Sequence, residues 1–220
     1  MGGRSASRVQ EVVDSLRRAS SEKTRKDIAR YGIPDDDVLG VPMRVMKDIA
    51  KGIGHDHGLA LDLWATDIYE ARMLAVFVDE PDEVTSAQMD RWASSFNSWA
   101  ICDTACFALF DRAPHAWAKV KKWNPSKKEF VRRASYALLW ALALHDKAAP
   151  DANFTAALRM LEKAEPDDRP LVKKSADMAL RAVGKRNAAL RKAASAVARR
   201  LADSNDRSRQ WIGRNALKRL

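Results

Sequence analysis

The sequence predicts an all-α protein, and three observations indicate this class. Apolar residues recur at helical spacing in nearly every segment, as they do at Val9, Val12 and Leu16. No segment shows the strict alternation of apolar and polar residues that is typical of a half-buried strand. Stretches rich in alanine, such as residues 186–202, have a high intrinsic helix propensity. We therefore expect helices along the whole chain.

The periodic segments give the order of the helices. A first helix carries the stripe that begins at Val9, and a loop marked by glycine and proline follows at residues 31–40. Pro42 then stands at the first position of the next helix, where its missing N–H costs nothing. Further helices are predicted at residues 58–66, 68–79, 84–96, 99–111, 114–122, 127–145, 151–163, 169–183, 185–202 and 206–219.

These helices form pairs whose second members resemble one another. Aligning the second members by their apolar positions puts five residues in one column: Ala71, Asp103, Arg133, Lys174 and Arg214. The steps between them are 32, 30, 41 and 40 residues, close to the periods of HEAT-type helical hairpins, which stack into a curved solenoid. The sequence therefore predicts a HEAT-like helical-repeat solenoid, as a single domain over residues 1–220. Stacked repeats with capped ends need no partner, so we expect a monomer.

The charge is concentrated near the end of the sequence. Residues 169–220 hold 15 Lys or Arg against three Asp, a local net charge of +12 within a total of +10. A basic third on an otherwise near-neutral chain favours a polyanionic partner, most often nucleic acid, although a solvated basic surface is the alternative. The second helices of a solenoid line its concave side, where Lys174 and Arg214 suit a phosphate backbone. We therefore expect a concave, basic groove that binds DNA.

Several function classes are disfavoured. No apolar run reaches the roughly 18 residues of a membrane span, and residues 1–13 lack the apolar core of a signal peptide. We therefore expect no membrane partner and a cytoplasmic protein of bacterial type, associated with the nucleoid through DNA. Cys102 and Cys106 lie four residues apart without a nearby histidine, which neither predicts a disulfide nor makes a zinc site. His55 and His57 look like parts of a polar loop, so we expect no metal.

Asp103 interrupts an otherwise apolar helix, one turn after Trp99 on the same face. Such a carboxylate can stabilise positive charge on a sugar during glycosidic cleavage, or orient an attacking water. The indole of Trp99 can lie against that sugar or a cationic base. The alternatives are a structural ion pair between Asp103 and Arg133, and a core position for Trp99.

The same residues carry a resemblance to a known family. "SWAICD", followed thirty residues later by "EFVRRASYALL", resembles the DNA alkylation repair family of AlkD-like HEAT-repeat DNA glycosylases. The family's W-x-x-x-D helix and the arginine of its next repeat fall on Trp99, Asp103 and Arg133. "ARYGIPDDDVLGVPMRVMKDIAK" resembles its A-R-Y segment, glycine turn and basic helix, which makes Tyr31 a candidate aromatic near the lesion. The resemblance covers residues from about 10 to 220.

The resemblance implies removal of positively charged N3- and N7-alkylated purines from duplex DNA without base flipping. It also implies no cofactor and a monofunctional enzyme that leaves an abasic site. Asp103 would stabilise the sugar cation and place the water, Trp99 would pack on the sugar, and Arg133 would keep Asp103 ionised or touch the DNA backbone.

One position departs from the family pattern. Met178 stands where the family has a second tryptophan, and Asp177 stands where it has glycine. Methionine can pack on a sugar but has no ring quadrupole to attract a cation; Trp140 and Trp211 are possible replacements. The departure favours an alternative function, a catalytically silent HEAT-repeat protein that binds DNA as an architectural or branched-DNA binder. A protein-binding scaffold is a third possibility, because the fold alone does not fix the function.

Overall fold

The structure is a computed structural model that describes residues 2–33 and 37–220, with side chains from Ala6 onward. Residues 34–36 of the predicted loop lie outside the described residues. Within the described ranges the regular elements are helices, and no strand occurs. The helices are α1 (Gly2–Arg18), α2 (Glu22–Arg30), α3 (Met43–Ile53), α4 (His57–Trp64), α5 (Tyr69–Val78), α6 (Ser86–Ser94), α7 (Trp99–Ala108), α8 (Ala116–Trp123), α9 (Glu129–His145), α10 (Asp151–Lys163), α11 (Pro170–Gly184), α12 (Ala188–Ala202) and α13 (Arg207–Leu217).

The ten helices predicted after residue 57 are confirmed, each within three residues at either end. Helix α2 is the one that the apolar pattern missed, and the physical reason is plain. None of its residues is buried, so it carries no apolar stripe. Pro42 was predicted to be the first residue of its helix. In the structure Pro42 is the N-cap, and α3 begins one residue later at Met43.

The chain divides into two compact units. Unit 1 comprises residues 1–89 and 97–114, and unit 2 comprises residues 90–96 and 115–220. In unit 1, α5 packs against α3, α4 and α7. In unit 2, α9 packs on α11 and α11 packs on α13, so second members of successive pairs are neighbours, as the repeat alignment predicts. That residues 1–220 form a single domain remains a prediction.

Gly213 allows α12 and α13 of unit 2 to approach each other closely. A Cβ atom at this position would lie 2.3 Å from the backbone nitrogen of Ala202 and 2.4 Å from the carbonyl oxygen of Ala198. Because both neighbours are backbone atoms, neither can move aside as a flexible side chain would. Glycine is therefore required here for the last helical pair to close.

The two cysteines lie on the buried face of α7. Cys102 and Cys106 are both buried, and neither is part of a disulfide. Burial raises the pKa of the Cys106 thiol, and the neighbouring Cys102 and the negative charges of Asp103 and Asp111 raise it further. These thiols are therefore core residues.

The polar loop predicted around residue 56 serves to begin a helix. Asp56 is the N-cap of α4 and accepts a hydrogen bond from the backbone N–H of Leu59 at 2.9 Å. His57 Nδ1 lies 2.6 Å from Oδ1 of the buried Asp79 in the same unit. In the described ranges, no three or more His, Cys, Asp or Glu residues group closely enough to hold a metal ion. Over the same ranges, no helix is both long enough and apolar enough to cross a membrane.

Candidate functional site

Helix α7 carries Trp99 and Asp103 outside the core of unit 1. The helix begins at Ser98, whose hydroxyl accepts a hydrogen bond from the N–H of Ile101 at 3.3 Å. One half of the helix is buried and contains Ile101, Cys102, Ala105 and Cys106. Trp99 and Asp103 lie on the other half and are partly exposed. The carboxylate that interrupts the apolar sequence is therefore at the surface of the helix rather than in the core, and Trp99 is not fully buried.

Trp99 is joined to Tyr31, so the structure brings two of the predicted site residues together. The indole Nε1 of Trp99 donates a hydrogen bond to the backbone carbonyl of Tyr31, and the distance is 2.9 Å. Tyr31 is the C-cap residue of α2, and 68% of its surface is exposed. The bond fixes the plane of the indole ring and leaves the phenol of Tyr31 open to solvent.

A buried carboxylate holds the end of the loop between α2 and α3. Glu70 on α5 has no exposed surface, and it accepts hydrogen bonds from the N–H groups of Leu39 at 2.9 Å, Gly40 at 2.7 Å and Val41 at 3.1 Å. Gly40 has φ +86°, and a Cβ atom there would lie 2.5 Å from the carbonyl oxygen of Ser21. Only glycine can adopt this conformation at this distance.

The same loop holds the start of α2. The N–H of Ser21 donates to the carbonyl oxygen of Gly40 at 2.9 Å, and the Ser21 side chain caps the helix at Thr24. Glu70 therefore holds the loop, the loop holds the start of α2, and Tyr31, the C-cap residue of α2, holds the indole of Trp99. Glu70 was not among the predicted site residues, although it is a carboxylate in an apolar helix, as Asp103 is.

Arg133 lies inside unit 2. Only 3% of its surface is exposed. Its Nη1 donates to the carbonyl oxygen of Leu171 at 2.7 Å, and its own carbonyl accepts from Ser175 Oγ at 3.1 Å. These contacts join α9 to the first half of α11. Arg133 therefore acts from within the fold, and not as an exposed contact for phosphate.

The five residues of the aligned column differ in exposure. Lys174 and Arg214 are exposed, Asp103 is partly exposed, and Ala71 and Arg133 are buried. Ala71 and Arg133 therefore do not present their side chains to solvent, as residues that line a groove would. Arg133 is buried because α11 packs against α9 and its guanidinium donates a hydrogen bond to the Leu171 carbonyl of α11. The two exposed cations keep their predicted accessibility.

Met178 and the two tryptophans considered as replacements for the family's second tryptophan are all at least partly exposed in unit 2. Met178 on α11 is partly exposed, and the preceding Asp177 is buried and paired with Arg181 at 2.8 Å. Trp211 on α13 is 40% exposed, and Lys173 Nζ lies 5.7 Å from the centroid of its ring. Trp140 is partly exposed on α9. Unit 2 therefore presents a methionine and a tryptophan that already contacts a cation.

Comparison with known proteins gives a family and a fold. The family model described as DNA alkylation repair enzyme matches residues 12–220. Among solved structures, the chain is similar to one from a new family of proteins related to the HEAT-like repeat DNA glycosylases with affinity for branched DNA structures. That pair shares 22% sequence identity and a TM-score of 0.77, over 96% of this chain and 95% of the other.

A second solved structure gives a weaker match. The chain is similar to smu.31 from Streptococcus mutans UA159, with 19% identity and a TM-score of 0.56 over 96% of this chain and 98% of that one. Among proteins with curated descriptions, none matches this sequence. At these identities the likeness shows the fold, and the predicted all-α, HEAT-like repeat fold is confirmed.

Proposed function

Because the chain belongs to the DNA alkylation repair enzyme family, we propose that it is a monofunctional DNA glycosylase. In this proposal it hydrolyses the N-glycosidic bond of positively charged N3- or N7-alkylated purines in duplex DNA, without flipping the base. One observation carries the proposal. The partly exposed carboxylate of Asp103 lies one helical turn from an indole ring whose orientation is fixed by the Tyr31 carbonyl.

The chemistry needs an anion at the sugar and little else. Alkylation at N7 or N3 places a positive charge on the purine, so the bond from C1′ to N9 breaks with its electron pair going to the base. The base leaves neutral, and the sugar becomes an oxocarbenium-like cation, which a fixed carboxylate stabilises more than it stabilises the starting nucleotide. Water then adds to C1′ and loses its proton to Asp103 or to solvent. No cofactor takes part in these steps.

Trp99 supplies the apolar and electron-rich surface in this account. Its ring packs against the deoxyribose, where a cation–π contact contributes on the order of 1–2 kcal/mol when the cation is partly desolvated. Tyr31 presents an exposed phenol beside that ring. Both aromatic residues depend on the Glu70 loop for their position, so we assign Glu70 as a positioning residue.

Unit 2 supplies positive charge in the proposal. Lys174 and Arg214 are proposed DNA contacts because both side chains are exposed. Arg133 is proposed to contribute its charge from inside the fold, and Met178 is proposed to pack against the DNA in place of the family's second tryptophan. The proposed partner is double-stranded DNA that contains alkylated purines. We propose that the protein works as a monomer in the cytoplasm, associated with the nucleoid through DNA.

A second candidate function is a catalytically silent protein that binds branched DNA. Two observations favour it: Met178 lacks the quadrupole of a tryptophan, and a structural relative is described as having affinity for branched DNA structures. To separate the two, the affinities for a methylated duplex, an unmodified duplex and a three-way junction are measured beside abasic-site formation. Abasic sites in the methylated duplex support the glycosylase. Tight junction binding without abasic sites supports the second candidate.

The hydrogen bond of Trp99 can be tested separately from its ring. Trp99→Phe keeps an aromatic face and removes the Nε1 donor, so base release should slow by about two- to tenfold, as expected for one net hydrogen bond. Trp99→Leu removes the ring as well and should slow release by roughly a further tenfold. Single-turnover rates on methylated duplex measure both effects, with DNA affinity as the control. Equal rates for the two variants would contradict the role of the ring.

The exposed cations of unit 2 should act on all DNA alike. Lys174→Ala and Arg214→Ala should each weaken binding to methylated and unmodified duplex by the same factor. Each should also reduce the slope of log K against log salt by roughly one unit, since one phosphate contact is lost. Fluorescence anisotropy over a series of salt concentrations measures this slope. A loss confined to methylated DNA would show that these residues contact the lesion instead.

A further inference from the structure

Unit 1 has an open pocket that the proposed chemistry does not use. It is lined by residues at the C-terminal ends of α3 and α7 and by one ring of α5, and its volume is about 530 Å³. Its walls include four basic side chains and one aromatic ring: Lys47, Lys51, His55, Arg112 and Phe77. None of its lining residues is acidic.

The lysines of this pocket have no carboxylate partner in the part of the chain that the structure describes. Lys47 and Lys51 are exposed, and the one ion pair on their helix joins Arg44 to Asp48 at 4.0 Å. At the rim, the carboxylate of Glu80 lies 3.8 Å from His55 Nδ1. The pocket therefore concentrates positive charge.

Part of that charge balances the helix ends. Arg112 donates a hydrogen bond to the carbonyl oxygen of Ala108 at the end of α7, and Lys51 lies in the last turn of α3. Each helix C-terminus carries roughly half a negative charge, so two of them offset about one of the three permanent cations. With the carboxylate of Glu80 at the rim also counted, a net charge of about +1 remains, which suits an anionic ligand.

Phe77 gives the pocket a face for stacking. The ring is partly exposed on α5, and Lys47 Nζ lies 5.9 Å from its centroid. A duplex backbone needs only cations, whereas an unpaired nucleotide offers both a phosphate and a free base face. Cations interleaved with an exposed aromatic ring are the combination that binds single-stranded nucleic acid.

We propose that this pocket binds an unpaired nucleotide of a DNA strand, with the base on Phe77 and the phosphate on Lys51 and Arg112. The proposal rests on DNA being the partner, as in the proposed function. Helix α7 begins at Trp99 and ends at Ala108, so its rise separates the two sites by about 13 Å along the axis. That length corresponds to roughly four nucleotides at 3.4 Å each. The pocket therefore selects DNA that is frayed or displaced close to the lesion.

The test compares a labelled ten-residue oligothymidylate with a blunt unmodified duplex by fluorescence anisotropy. Phe77→Leu should weaken binding of the oligothymidylate by about tenfold, and Phe77→Trp should restore it. Lys51→Ala with Arg112→Ala should also weaken it and should lower its salt slope by roughly 1.4 units. Duplex affinity and melting temperature should stay within about twofold and 3 °C of the wild type for Phe77→Leu. Lys23→Ala removes an exposed charge elsewhere in unit 1 and is the matched control.

Two results would overturn the inference while leaving the proposed function intact. One is duplex binding by the wild type without binding of the oligothymidylate. The other is equal affinity of Phe77→Leu and the wild type for the oligothymidylate. A wild-type protein that binds neither DNA would overturn the proposed function as well.

Discussion

Replacing Asp103 with asparagine should slow base release by about 100- to 1000-fold, the usual cost of losing a preorganised electrostatic contact to the transition state. The substitution keeps the shape of the side chain and removes its charge. Asp103 is partly exposed, so the fold should survive. DNA affinity should hold or rise, because a negative charge that repels phosphate has been removed. Loss of rate with binding retained is the signature of a group that acts only after the cation forms.

The control for this variant is Asp48→Asn, which removes a carboxylate with 71% side-chain exposure from the same unit. It should change the base-release rate by less than twofold, since a solvent-exposed charge is strongly screened. Single-turnover release and duplex affinity are measured for both variants. Similar rates for Asp103→Asn and the wild type would remove Asp103 from the mechanism.

Replacing Asp90 with alanine should destabilise the protein more than any other single change discussed above. In unit 2, Asp90 Oδ2 lies 2.7 Å from the Nζ atoms of both Lys119 and Lys122, and Oδ1 accepts from Trp123 Nε1 at 2.8 Å. The side chain of Lys119 is only 2% exposed. Without Asp90 its ammonium stays buried and uncompensated, which costs about 3 kcal/mol. For a chain of this length, the melting temperature should fall by roughly 6–12 °C.

Lys122→Ala is the matched control, because it removes the other cation from the same carboxylate oxygen. That side chain is 64% exposed, so its loss should cost less than about 1 kcal/mol. Adding Lys119→Met to Asp90→Ala should recover part of the stability, since an apolar side chain needs no counter-ion. Thermal and urea unfolding measure all three. A smaller loss for Asp90→Ala than for Lys122→Ala would contradict the assignment.

The lowered pKa of Asp90 predicts how the stability of the fold depends on pH. Burial raises the pKa of Asp90, but the bonds from Lys119, Lys122 and Trp123 outweigh it and lower the pKa to about 2. A group with a lowered folded-state pKa stabilises the fold above its ordinary pKa, 3.8 here, and this stability is lost as the pH falls towards 2. Asp90→Ala should therefore flatten the fall in stability between pH 4 and 2.

The fold was predictable because its helices bury apolar stripes. A helix without buried residues has no apolar stripe in its sequence. Helix α2 has no buried residue and was not predicted for this reason. The aligned column placed its five residues on second helices of the pairs, as observed. It did not predict that Arg133 is buried while Lys174 is exposed, because the burial of Arg133 depends on packing against α11, whose contacting residue Leu171 lies 38 residues further along the chain.

The candidate site was predictable only in part. Trp99 and Asp103 stood out because their spacing on one helix face is visible in the sequence. The bond from Trp99 to Tyr31 was not visible, because its acceptor is a backbone carbonyl 68 residues away. Glu70 and Asp103 both interrupt apolar helices, yet Glu70 binds three backbone N–H groups inside unit 1 and Asp103 is at the surface. Sequence spacing cannot distinguish a carboxylate that holds a loop from one that faces a substrate.

The most direct test of the account is the release of free bases from methylated duplex DNA by the purified protein, measured by mass spectrometry under single-turnover conditions. The wild type should release free N7-methylguanine or N3-methyladenine, and Asp103→Asn should release almost none. Tight binding of the duplex by the wild type with no released base would contradict it, and would favour the silent DNA binder with Met178 as the lost partner.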